Sequence, residues 1–115
     1  MPAFSIKTDR MDGKTTLLSV EGFLDAHTFE RLEEEINGLF AEGTYKLVVD
    51  ISGVDYISSA GAGVFIGAIT EAQENGGDIV LVNPTPNVLD VFDLLGLTQI
   101  FQICKTKEEA LGAFR

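Results

Sequence analysis

Two short runs constrain this chain more than anything else in it: Leu47-Val48-Val49-Asp50-Ile51 and Asp78-Ile79-Val80-Leu81-Val82. A strand with one wet face alternates apolar and polar residues. These runs are apolar at nearly every position, so each must be covered on both faces. Helices are the usual cover, and the flanking segments have the spacing for them. Phe29, Leu32, Ile36, Leu39 and Phe40 form one stripe, with Glu30, Arg31, Glu33, Glu34 and Glu35 largely on the solvated side. Asp25 or Thr28 offers this first helix an N-cap, and Gly43 a stop. A second helix is expected over about residues 61–75, capped by Ser58 or Ser59 and closed by Asn75-Gly76-Gly77.

The remaining pieces fall between turn signals. Phe4-Ser5-Ile6-Lys7-Thr8 alternates as an edge strand does, Met11-Asp12-Gly13-Lys14 is a turn signal, and residues 15–21 read as the hairpin partner, ended by Gly22. Asn83-Pro84-Thr85-Pro86 breaks the second buried run. A short helix over 87–95 follows, closed by Gly96; then a last strand over 100–103, and a terminal helix from Lys107 to the chain end. The order β-β-α-β-α-β-α-β-α predicts an α/β fold: one domain over 1–115, a mixed β-sheet of about five strands, and helices packed against it.

Charge excludes several partners. The formal net charge is −10 over 115 residues, which repels phosphate backbones and anionic bilayers, so neither nucleic acid nor membrane is an expected partner. No apolar stretch approaches the ~20 residues that span a bilayer, and the N-terminus carries no signal-peptide pattern; a cytoplasmic location is the default. The single cysteine, Cys104, forms no intrachain disulfide and is expected at the edge of the core.

The chemistry-bearing residues are few. Ser58-Ser59-Ala60-Gly61 opens the second helix. Hydroxyls there cap free amides, and they are also placed where a phosphate is tolerated, since amides and helix dipole favour an anion. Gly61-Ala62-Gly63-Val64-Phe65-Ile66-Gly67 has one residue too many for a dinucleotide fingerprint, and its glycines are expected to permit close helix–sheet packing. A phosphate-binding Gly-Lys-Ser/Thr loop is absent. The only histidine, His27, sits near Asp25 at the start of the first helix, a terminus that would approach the serines. A Ser–His hydrolase would still need a pocket, for which this regular pattern leaves little material, so no catalytic residues are assigned. Asp25, Asp50 and Asp55 are expected as ordinary strand-end carboxylates with no metal role, and no cofactor is implied.

Gly22-Phe23-Leu24-Asp25, Leu47–Ile51, Val54-Asp55-Tyr56-Ile57-Ser58-Ser59-Ala60-Gly61-Ala62-Gly63, Gly76–Leu81 and Val91-Phe92-Asp93-Leu94-Leu95-Gly96-Leu97 together resemble a STAS domain of the bacterial anti-sigma factor antagonist family, over essentially the whole chain. The resemblance implies a protein–protein switch. In that family the unphosphorylated antagonist binds an anti-sigma factor that is also a serine kinase, which releases a sigma factor; phosphorylation within an Asp-Ser-x-Gly motif ends binding, and a serine phosphatase restores it. Anchored on Gly61, the motif places Ser59 at the acceptor and Ser58, an alternative acceptor or cap, where the aspartate stands. Asp25, Asp55, Ser58, Ser59 and Gly61 are then the expected partner-binding residues. The alternatives are an unphosphorylated STAS scaffold or a small-ligand-binding module in a sensory or transport complex.

Overall fold

The computed structural model describes residues 3–12 and 14–114. The elements run β1 (Ser5–Asp12), β2 (Thr15–Leu24), α1 (Phe29–Ala41), β3 (Lys46–Ile57), α2 (Ser59–Glu74), β4 (Asp78–Val82), α3 (Pro86–Leu94), a 3₁₀ turn (Leu97–Gln99), β5 (Gln102–Cys104) and α4 (Lys107–Gly112). The five strands lie in sequence order across one sheet; β1–β2 is antiparallel and every later pair parallel. The expected β-β-α-β-α-β-α-β-α order is therefore found. Of the turn expected between β1 and β2, Gly13 lies outside the described residues, as does Arg115 at the chain end.

Chirality sets where the helices lie. Each parallel step from β2 to β5 moves one strand in the same direction, so right-handed crossovers put α1, α2 and α3 on the same face. Strand alternation follows: Leu47, Val49, Ile51, Ile79 and Leu81 join Leu32, Ile36, Phe65, Ile69 and Phe92 in the larger core. Val48, Val80 and Val82 point the other way, into a smaller cluster with Leu17, Cys104 and Ala110 of α4. Both buried runs are thus covered twice, thickly by three helices and thinly by one.

Three expectations on boundaries are corrected. Strand β3 does not stop at Ile51 but continues to Ile57, and β2 continues through Gly22 to Leu24, so the six-residue connection is strand. The extension pairs Glu21 with Gly53, Gly22 with Val54, Phe23 with Tyr56 and Leu24 with Ile57, with register shifts on either side of Glu21–Gly22. Gly22 has φ +101°, and a Cβ there would come 2.9 Å from the Phe4 Cα, so a residue that resembles a strand stop is a kink within the strand. The last strand starts at Gln102, because the chain first closes the 3₁₀ turn and leaves Ile100 half exposed. The glycine expectation holds at one of three positions in α2. A Cβ on Gly61 would lie 2.6 Å from the Leu24 carbonyl oxygen, whereas Gly63 and Gly67 face open space.

Candidate docking site at the mouth of the second helix

The extension of β2 and β3 carries Leu24 and Ile57 together to one end of the sheet. There the chain enters α2 through Ser58, whose backbone is extended (φ −96°, ψ 171°). The Ser58 N–H donates to the Leu24 carbonyl at 2.9 Å. Its hydroxyl oxygen accepts from the Gly61 N–H at 3.2 Å, and its carbonyl accepts from the Ala62 N–H at 2.9 Å. Ser58 is therefore the N-cap, its hydroxyl engaged and half buried. Ser59 is the first residue of the helix and is exposed; among the described residues its hydroxyl has no recorded hydrogen bond. One of the two serines thus spends its hydroxyl on the cap, and the other stands exposed beside it.

Asp25 lies beside this mouth, one residue after the Leu24 that Gly61 and Ser58 touch. Its Oδ1 accepts from the His27 N–H at 2.9 Å, and its carbonyl accepts from Thr28 and Phe29 amides at 3.2 and 2.9 Å. Thr28 occupies the N-cap position of α1 without capping the helix by its side chain. Its Oγ1 instead donates to the Phe23 carbonyl at 2.7 Å and accepts from the Asp25 N–H at 3.0 Å, locking the turn that presents Asp25. The expected approach of this turn to the serines is present in the backbone. The His27 side chain is exposed and has no hydrogen bond to either serine among the described residues.

The structure brings Asp25, Ser58, Ser59 and Gly61 to one place. Asp55 stands exposed on the final stretch of β3, at the position where the register with β2 shifts between Val54 and Tyr56. Asp50 is elsewhere: its Oδ1 accepts from the Ser52 N–H at 3.0 Å and hydroxyl at 2.7 Å, and its Oδ2 lies 3.7 Å from Lys107 Nζ on α4. Two aromatic residues absent from the expected partner-binding set also lie on this surface. Tyr56 is 50% exposed, and it meets half-buried Phe23 edge-on at 5.9 Å between ring centroids. The signal for it was a large aromatic next to Asp55 in a segment otherwise rich in turn-type residues. Segments 23–28 and 54–63, which build this surface, contain two carboxylates, one histidine and no lysine or arginine.

The STAS domain family model matches residues 6–110. The chain belongs to the STAS domain family. A Bordetella bronchiseptica protein named as an anti-sigma factor antagonist, BtrV, is 31% identical over 107 residues, covering 93% of this chain and 91% of that protein. Among solved structures, an anti-sigma factor antagonist from Mycobacterium paratuberculosis superposes with a TM-score of 0.87 at 26% identity, covering 96% of this chain and 93% of that one. The Bacillus cell-fate determinant SpoIIAA in its phosphorylated form gives 0.77 at 24% identity, covering 96% and 100%. At that identity SpoIIAA speaks for the fold alone, and the α/β STAS architecture expected from the residues is the one these proteins share. No helix among the described residues is long and apolar enough to cross a membrane.

Proposed function

We propose that this STAS domain is an anti-sigma factor antagonist whose docking surface is switched by phosphorylation of Ser59. The observation that carries the reading is the division of labour between the two serines. Ser58 spends its hydroxyl on the Gly61 amide, while Ser59 presents its own to solvent at the first turn of α2. Serine and aspartate are both good N-caps, so Ser58 keeps the local geometry where the family motif has a carboxylate.

The electrostatics give the switch its direction. Transfer of the ATP γ-phosphoryl group to Ser59 Oγ, with loss of the hydroxyl proton and release of ADP, adds about −1.5 to −2 charges. The dipole and free amides of α2 accommodate that charge, so the fold is not what changes. With Asp25 and Asp55 nearby and no cation in segments 23–28 or 54–63, nothing on these segments neutralises it. A partner seated on the neutral surface of Ser59, Ala60 and Gly63 then meets bulk and a dianion at its centre. Unmodified chain binds an anti-sigma factor with serine-kinase activity; modified chain is released and returned to use by a serine phosphatase. Asp25 and Asp55 act as rim charges, and Gly61 lets α2 sit on Leu24.

The test is intact mass after incubation with ATP and a candidate anti-sigma kinase, for wild type, Ser58→Ala and Ser59→Ala. One phosphate in wild type and Ser58→Ala, with none in Ser59→Ala, is the expected result. Loss only in Ser58→Ala moves the acceptor by one residue. A chain that takes no phosphate from any cognate kinase while still binding it is a scaffold and not a switch.

A further inference from the structure

Strand β1 forms one border of the sheet, and among the described residues its outer edge has no partner strand. It is eight residues long, where the opposite border, β5, has three. A free edge of that length offers a row of unpaired backbone donors and acceptors, a hazard that proteins blunt with charge. Of the four charged residues here, Lys7, Asp9 and Arg10 are exposed, and none of these three has an ion pair or side-chain hydrogen bond among the described residues. Opposite Ser19 and Leu17 respectively, Lys7 and Asp9 share one face of the sheet. Thr8 lies between them on the other face, where its Oγ1 donates to Glu35 Oε1 at 2.6 Å.

We propose that β1 pairs antiparallel with β1 of a second copy about a two-fold axis at Thr8, fusing two sheets into one. In that register Lys7 of each copy lies directly opposite Asp9 of the other, so the interface gains two cross-strand pairs of opposite sign. Moving the axis one residue either way sets Lys7 against Lys7 or Asp9 against Asp9. The charges that guard the edge against arbitrary strands therefore select one register of self-pairing, while the ladder itself supplies the attraction. Net charge also favours this occupant. Residues 5–12 carry two basic and two acidic side chains, so β1 is a neutral stretch of a chain with charge −10, along which two copies meet with the least repulsion. Thr8 pairs with Leu18, six residues back along β2 from Leu24, so the axis lies away from Ser59 and the inference is independent of phosphorylation.

Sedimentation equilibrium of the chain over roughly 1 µM to 1 mM, the range in which small interfaces associate, reads the result directly. Wild type is expected to dimerise with concentration, and Lys7→Asp or Asp9→Lys alone to weaken the dimer about tenfold or more by placing like charges opposite. The double exchange, and equally a one-to-one mixture of the two single variants, restores opposite charges at both positions and is expected to restore association. Both residues are exposed, so circular dichroism and Tm serve as the control that each variant is folded. A wild-type chain monomeric throughout overturns the proposal. So does a dimer that the single variants leave intact, or one that the exchange fails to recover, either of which would put the contact on another surface or make the edge a site for a different partner.

Discussion

At the scale of single residues, three glycines of one helix make opposite demands. A Cβ on Gly61 would stand 2.6 Å from the Leu24 carbonyl oxygen and 2.8 Å from its Cγ. The backbone of Leu24 cannot retreat, because it holds the Ser58 amide and pairs with Ile57. Gly61→Ala should therefore destabilise the chain by about 1–3 kcal/mol, the usual cost of overpacking. Gly63 and Gly67 have open space where a methyl would go. Alanine at either should stabilise by roughly 0.5–1 kcal/mol through helix propensity. Urea unfolding of the three variants decides it; equal effects at all three would refute the packing account. The serines separate in the same experiment. Ser58→Ala removes the cap and should cost ~1 kcal/mol, and Ser59→Ala should leave stability nearly unchanged.

At the scale of elements, the thin cover of the second sheet face is the weak point. Helix α4 has six residues, capped by Thr106 Oγ1 accepting from the Glu109 N–H at 3.1 Å, and buries Ala110 against Val48, Val80, Val82 and Cys104. Ala110→Asp would drive a carboxylate into a fully buried site and should cost several kcal/mol (about 3 or more), lifting α4 before the three-helix side loosens. Cys104 reports the event. Burial first, then the nearby Glu109 charge, push its thiol above the ordinary range. In wild type it should react slowly with a disulfide reagent at mildly alkaline pH, and in Ala110→Asp much faster; equal rates would mean that α4 is not what protects it. The native state favours the protonated thiol, so stability present below the ordinary thiol pKa is lost as pH rises toward the folded one. Element order was legible in the sequence because buried strands and the α1 stripe have distinct periods. The ends of β2 and β3 were not. Gly22, Ser52, Gly53 and Asp55 are turn-type residues, and only the paired structure shows that they build two register shifts that carry the strands on to the mouth of α2. The same segment hid Tyr56, whose exposure depends on that irregular stretch; Thr28 was legible as a cap candidate, but its side chain turns back to the end of β2 in preference to its own helix.

At the scale of the whole molecule, the acidity that argues against a nucleic-acid partner also bears on stability. Eighteen acidic residues face eight basic ones, yet among the described residues one ion pair is present, Lys107 with Asp50. Composition gave the imbalance; only the fold shows how little of it is compensated. Glu30, Glu33, Glu34 and Glu35 crowd the exposed side of α1, with Glu30 and Glu34 one turn apart and repelling. Unpaired like charge favours the expanded chain, so screening should favour the folded one. Raising sodium chloride from about 10 mM to about 500 mM shortens the Debye length from roughly 30 Å to about 4 Å. Relief of ~1 kcal/mol corresponds to a Tm rise of about 4 °C for a domain of this size. Chloride is the salt to use, because sulfate would also strengthen apolar burial and confuse the cause. Charge repulsion predicts a rise that is steep at low salt and flattens once the Debye length falls below the spacing of the α1 carboxylates. A Tm that stays flat or falls would mean that the acidic face is compensated in a way the single ion pair does not reveal.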